Sequence, residues 1–166
     1  MRIFCISLIT FFSCHCYSQK NIAFQQKDNI QIKINAVHAF EKLEITNSKN
    51  NKTQSIDAIE TSITDKEMHL VTEDYNFDGY TDFAVYRTDD GMGVYTIYQI
   101  FIYNPLNKQF KKLKIPLNSN PECDEFCDVR VNKKRKTFQS SCRGGAKWHT
   151  DNWKFDKNQN LILTKK

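Results

Sequence analysis

Residues 73–82 read Glu-Asp-Tyr-Asn-Phe-Asp-Gly-Tyr-Thr-Asp, which from Asp74 onward is D-x-N-x-D-G-x-x-D. Three carboxylates held this close in one turn repel strongly unless a cation sits among them. Calcium suits such a turn, because it is a hard cation taking roughly six to eight oxygens and alternate residues of a tight loop can aim oxygens inward. With Asp74 first, Asn76 and Asp78 follow at every second residue. Gly79 then permits the positive φ of a sharp turn. Tyr80 offers its backbone carbonyl and Asp82 closes the set. An EF-hand is excluded, since Val85 stands where the bidentate Glu is required and the flanks are not helical. Those flanks, Met68 to Val71 and Phe83 to Arg87, are short, apolar and aromatic. They predict strands on either side, so the loop joins two strands. The competing reading is an acidic β turn that binds nothing.

The rest of the chain repeats the same texture. Ile30, Ile32, Ile34 and Ala36 alternate with Gln31, Lys33 and Asn35, a period of two that argues a half-buried strand. Leu43 and Ile45 extend into a second strand, and the polar run Asn47 to Lys52 reads as a hairpin turn. Gln54 to Thr64 is ambiguous, with Ile56, Ile59 and Ile63 near helical spacing in a Ser- and Thr-rich context. Val94 to Tyr103 carries large residues at successive positions and predicts a central strand covered on both faces. Turns at Thr88–Gly93 and Asn104–Lys108 separate it from its neighbours. Further strands are expected at Phe110 to Ile115, Phe126 to Val131, Thr137 to Cys142, Trp148 to Phe155 and Leu161 to Thr164. No segment combines helix caps with an apolar stripe. The expectation is a mainly β chain, an antiparallel β meander with helix a minor component, forming one domain over 19–166.

Residues 1–18 read as a signal peptide. Met1 and Arg2 precede the apolar run Ile3 to Phe12, too short to span a bilayer. Cleavage after Ser18 would leave Gln19 as the new N-terminus. Lipidation at Cys14 is the alternative, disfavoured because Phe11 and Phe12 make a poor lipobox. The protein is therefore expected to be exported to the periplasm or cell surface and not transmembrane after processing. Cys123, Cys127 and Cys142 then remain in the mature chain. In an oxidising compartment they predict one disulfide, joining Cys142 to Cys123 or Cys127, and one leftover thiol. A zinc site using these cysteines and His149 is the weaker reading.

A net charge of +5 spread over 166 residues does not argue for nucleic acid. Lys133-Lys134-Arg135-Lys136 reads as a solvated turn between strands. Arg143-Gly144-Gly145 lacks the strand-to-helix setting of a phosphate loop. His38, His69 and His149 are scattered, with no nucleophile or base in a recognisable arrangement, so the chain does not read as an enzyme. Trp148, Trp153 and Phe155 could build a sugar-binding platform, although aromatic residues on strands are usually core.

The segment Asn76-Phe77-Asp78-Gly79-Tyr80-Thr81-Asp82-Phe83 is similar to the calcium loops of integrin-type propeller (FG-GAP) repeats. Together with Phe101-Ile102-Tyr103-Asn104, Phe110 and Ser140-Ser141-Cys142-Arg143-Gly144-Gly145-Ala146, it resembles a family of bacterial periplasmic proteins. The best-known members neutralise lysozyme-like effectors of a bacterial-killing secretion system and bind calcium on a β-propeller-like scaffold. The resemblance covers roughly residues 66–164 and implies propeller-like sheets, with Asp74, Asn76, Asp78, Tyr80 and Asp82 in the calcium role. It implies an inhibitor or immunity protein against a lysozyme-like peptidoglycan hydrolase. Such a cleft presents two carboxylates, which a loop carrying Arg143, Lys147 or His149 could pair. The alternative is a calcium-stabilised glycan- or protein-binding module at the cell surface.

Overall fold

The computed structural model describes residues 21–49 and 53–164. The expected signal segment 1–18, the alternative lipidation site Cys14, the expected terminus at Gln19 and the tip of the polar turn at 50–52 lie outside them. Thirteen strands are present among the described residues, with no helix. They form three antiparallel sheets in simple up-and-down order. The first joins β1 (Asn21–Gln25), β2 (Gln31–Val37), β3 (Lys42–Asn47) and β4 (Thr53–Asp57). The second joins β5 (Met68–Glu73), β6 (Asp82–Thr88), β7 (Thr96–Asn104) and β8 (Gln109–Lys112), with the short β9 (Phe126–Cys127) also on β7. The third joins β10 (Arg130–Asn132), β11 (Thr137–Gly144), β12 (Lys147–Phe155) and β13 (Leu161–Thr164). The first and third sheets are four-strand meanders, the strand order of a propeller blade, and the second is such a meander with β9 added against β7.

The side-chain period explains how they stack. Ile32, Ile34, Leu43 and Ile45 of the first sheet share a core with Phe83, Val85, Phe101 and Phe110 of the second. One residue out of phase, Ala84 and Ile100 join Phe126 with Phe138, Trp153 and Leu161 of the third. The second sheet is therefore buried on both faces, as the unbroken apolar run in β7 requires. Aromatic rings fill both layers: Phe83 stacks on Phe101 at 4.8 Å, and Phe126 meets Trp153 edge-on at 5.8 Å. The outward residues of β2, Gln31 and Lys33, and of β11 and β12, Gln139 and Lys154, are polar and exposed.

Three glutamines join what the apolar layers leave open. Gln26 donates to the Thr81 carbonyl at 2.8 Å and accepts the Thr81 N–H at 2.7 Å. Gln54 does the same to Phe110 at 2.7 and 2.8 Å, and Gln99 to Glu60 at 2.9 and 3.1 Å. A primary amide matches a peptide group donor for acceptor, so each clamp satisfies a backbone N–H and C=O together.

One sequence expectation needs correction, one ambiguity is resolved and one strand is added. Gln54 to Thr64 holds no helix: only Thr53–Asp57 is regular, Ile59 is buried and Ile63 is 89% exposed. Asp90 holds that stretch open, accepting the Ser62 hydroxyl, the Thr64 hydroxyl at 2.7 Å and the Ile63 N–H at 3.3 Å while pairing with Arg87 at 2.8 Å. Phe126 to Val131 is two strands, because Asp128 takes a left-handed φ of 42° and accepts both the N–H and the hydroxyl of Thr96. The N-terminal strand β1 was not anticipated.

Candidate functional site

The acidic loop leaves β5 at Glu73 and re-enters β6 at Asp82. Its two tightest positions, Phe77 and Gly79, have φ of 61° and 83°. Gly79 is the position where any Cβ would be strained. The loop is wired by its own carboxylates. Asp74 accepts the Asp78 N–H at 3.2 Å and the Gly79 N–H at 2.9 Å. Asn76 accepts the Asp78 N–H at 3.3 Å and donates to the Asp78 carboxylate at 3.0 Å. Asp78 accepts the Tyr80 N–H at 2.8 Å. Burial, with the neighbouring Asp78 charge, holds the Asp74 carboxyl above the ordinary carboxylate range despite these bonds.

Asp82 is different in kind. It is fully buried, and its two oxygens accept the Tyr75 N–H at 2.9 Å and the Tyr103 N–H at 2.8 Å. Burial pushes this carboxyl well above its usual range, and those two N–H bonds oppose the shift. Asp82 thus ties the start of the loop to the middle of the second sheet. The loop's tyrosines fasten it on opposite sides: Tyr75 is buried in the core shared with the third sheet, and Tyr80 packs on the core shared with the first.

Neighbouring sheets grip the loop with residues that nothing in its own sequence announces. Lys27, in the β1–β2 turn, donates to the Asp78 carbonyl at 2.8 Å and lies 3.8 Å over the Tyr80 ring. Gln26 beside it clamps Thr81. From the third sheet, Lys133 pairs with Glu73 at 2.8 Å, which gives the basic run 133–136 one defined partner. These contacts span more than fifty residues of chain, so local spacing carries no signal of them.

The donor set of the loop is all oxygen and suits a hard cation. Asp74, Asn76 and Asp78 converge on one turn, and each carboxylate oxygen engaged by a single N–H keeps a further lone pair. Among the described residues, no three His, Cys, Asp or Glu side chains form a ready metal-holding group. Asp82 is directed into the sheet by its two amide partners.

The second region singled out by sequence is the β11–β12 hairpin. Gly144 faces Lys147 across a two-residue turn whose first residue, Gly145, has φ 60°, the place a type II′ turn reserves for glycine. Arg143, Lys147 and His149 all come to this end, but not to one face. Arg143 lies opposite Trp148, and His149 opposite Cys142 beside Lys147 on the alternate face. Trp148 is 48% exposed. His149 Nδ1 is 3.5 Å from Glu122 and has no hydrogen-bond partner among the described residues. The three-aromatic platform does not form, because Trp153 is buried in the core with Phe155 packed against it. His69 stacks on Tyr86 at 5.0 Å, and His38 sits in the β2–β3 turn, far in sequence from both regions.

Cys142 pairs with Cys123, with Cα atoms 5.8 Å apart and a sequence separation of 19. Cys127 is the leftover thiol, buried, with burial pushing its pKa up to about 12. Asp151 holds the other end of the staple by accepting the Cys123 N–H at 2.9 Å. Closing this loop stabilises by about 3 kcal/mol in the chain-entropy model. A Cys123→Ser, Cys142→Ser variant is expected to lose about that much in urea unfolding, whereas Cys127→Ser leaves the non-reducing peptide map unchanged. A Cys127-containing disulfide in that map would contradict the assignment.

Comparison with protein-family models, with curated proteins and with solved structures finds no match to this chain, so the reading of its sites rests on its own residues.

Proposed function

We propose that the protein is an exported calcium-binding β protein that inhibits a lysozyme-like peptidoglycan hydrolase. The observation that carries the calcium part is the convergence of Asp74, Asn76 and Asp78 around the turn at Gly79. The Tyr80 carbonyl would add to the ion's protein shell, while Asp82, whose two oxygens accept buried amides, would anchor the loop behind it. Bound calcium would supply a fixed positive charge that offsets the mutual repulsion of these carboxylates. Export is supported by the short apolar leader at 3–12 and by a disulfide, which suits an oxidising compartment.

Inhibition is supported by the β11–β12 hairpin, a disulfide-stapled projection that presents Arg143 and Lys147 at its end. A guanidinium there can pair with the acid and nucleophile carboxylates of a glycosidase cleft. The purified protein is expected to inhibit a muramidase, and Arg143→Glu to abolish that inhibition without changing the melting temperature. No inhibition of any lysozyme class would sink the inhibitor reading. The exposed Trp148 beside Arg143 favours a second reading, a glycan-binding module, for which glycan binding lost on Trp148→Ala is the test.

The calcium test is thermal. At calcium a hundredfold above its dissociation constant, linkage adds about 2.7 kcal/mol, or about 5–10 °C for a domain of this size. Asp78→Ala should lose that shift and keep its β-type spectrum. Identical melting of the wild type in calcium and in chelator would leave Lys27, Lys133 and the loop's own amides to offset the carboxylates, and calcium would be withdrawn.

A further inference from the structure

At the end of the molecule that carries the acidic loop, the surface opens into a groove of about 550 Å3 between the second and third sheets. Its floor is apolar, with Ile102 from the second sheet, Leu113 just beyond β8 and Phe155 from the third sheet. Leu106, 92% exposed in the β7–β8 turn, lines it as well. Lys111 lies opposite Ile102 in the β7–β8 register, so its side chain leaves the same face as that floor. Lys111 and Lys114 both line the groove and are exposed, and neither forms an ion pair among the described residues. One wall is the acidic loop itself, through Asn76 and Asp78.

The volume lies in the range of small-molecule sites, roughly 300–1,000 Å3. A groove this size accommodates a short chain or ring; a protein partner needs a broader contact. An apolar floor with two unpaired ammonium groups complements a molecule with an apolar body and an anionic head. The Asp78 carboxylate on the wall opposes such a head when bare, and a divalent cation held beside it would reverse that local field.

We propose that this groove is a binding site for a small amphipathic anion, its apolar body on Ile102, Leu113 and Phe155 and its charged group at Lys111 and Lys114, and that calcium in the adjoining loop tightens binding. The second half rests on the calcium reading above; the first half does not.

Isothermal titration with octanoate, well below its micellar concentration, tests both halves, with octylammonium as the control of opposite charge. Octanoate is expected to bind with saturable one-to-one stoichiometry, and octylammonium at least about tenfold more weakly, near 1.4 kcal/mol at room temperature. The Lys111→Glu, Lys114→Glu variant should melt like the wild type and lose about tenfold or more in octanoate affinity. Absence of saturable binding, equal binding of octylammonium, or an unchanged affinity in the lysine variant overturns the site. Binding confined to anionic lipid vesicles, with none to free octanoate, overturns it too. Calcium should tighten octanoate several-fold in the wild type and not in Asp78→Ala. If calcium shifts the melting temperature but leaves octanoate affinity unchanged, the coupling fails and the calcium reading stands. If calcium shifts neither, the calcium reading fails, and the chelator titration alone decides the groove.

Discussion

Replacing Asp82 by alanine is expected to destabilise the protein by about 2–4 kcal/mol, in calcium and in chelator alike. Its carboxylate is fully buried and is the acceptor for the amides of Tyr75 and Tyr103. Each orphaned buried N–H costs roughly 1–3 kcal/mol, and part of that sum is returned because a desolvated carboxylate no longer has to be buried. Asp82→Asn keeps one acceptor oxygen and should cost less. Asp78→Ala makes the informative contrast: its bonds lie within the loop, so its effect belongs mainly to the calcium-dependent part of stability. Urea unfolding of the three variants, with and without calcium, separates the sheet anchor from the ion ligand. If Asp82→Ala unfolds like the wild type in chelator, the carboxylate is not the anchor described above.

Trp153→Ala carries the largest expected loss, about 3–5 kcal/mol, as for other large-to-small changes of buried aromatic residues. Its ring is fully buried against Phe126 in the core between the second and third sheets. Trp148→Ala, five residues away on the exposed face of the same strand, should stay within about 0.5 kcal/mol. Trp153 Nε1 is a buried donor without a hydrogen-bond partner among the described residues, so Trp153→Phe removes an unsatisfied group along with volume and should cost much less than alanine. Equilibrium denaturation checks all three. Equal stabilities for the two alanine variants would contradict the packing of β12. A loss of glycan binding in Trp153→Ala would report unfolding and say nothing about a sugar platform.

Most of the strands could be read from the chain, because a two-residue period leaves a local trace. The alternation from Ile30 to Ala36 became β2, and the unbroken apolar run before Tyr103 became β7, covered on both faces as expected. The first strand escaped because Asn21 to Gln25 carries only Ile22 and Phe24 at its inward positions, too short a pattern to stand out. Near-helical spacing at Ile56, Ile59 and Ile63 left that segment ambiguous for a related reason: three residues cannot distinguish a helix from an irregular strap. Here Asp90 and Gln99 decide the outcome from outside the segment.

Sequence alone therefore determined what nearest neighbours determine: a mainly β chain, an acidic turn with glycine at its sharp corner, and one disulfide ending at Cys142. Which cysteine Cys142 meets, that Asp82 turns into the sheet, and that Trp153 is core while Trp148 is surface were left to the tertiary structure. So were the grip of Gln26 and Lys27 on the loop and the groove beside it. The physical reason is range. Backbone preference and side-chain period act over a few residues, whereas a buried carboxylate or amide is placed by whichever peptide groups the stacked sheets leave unsatisfied, and those lie far away along the chain.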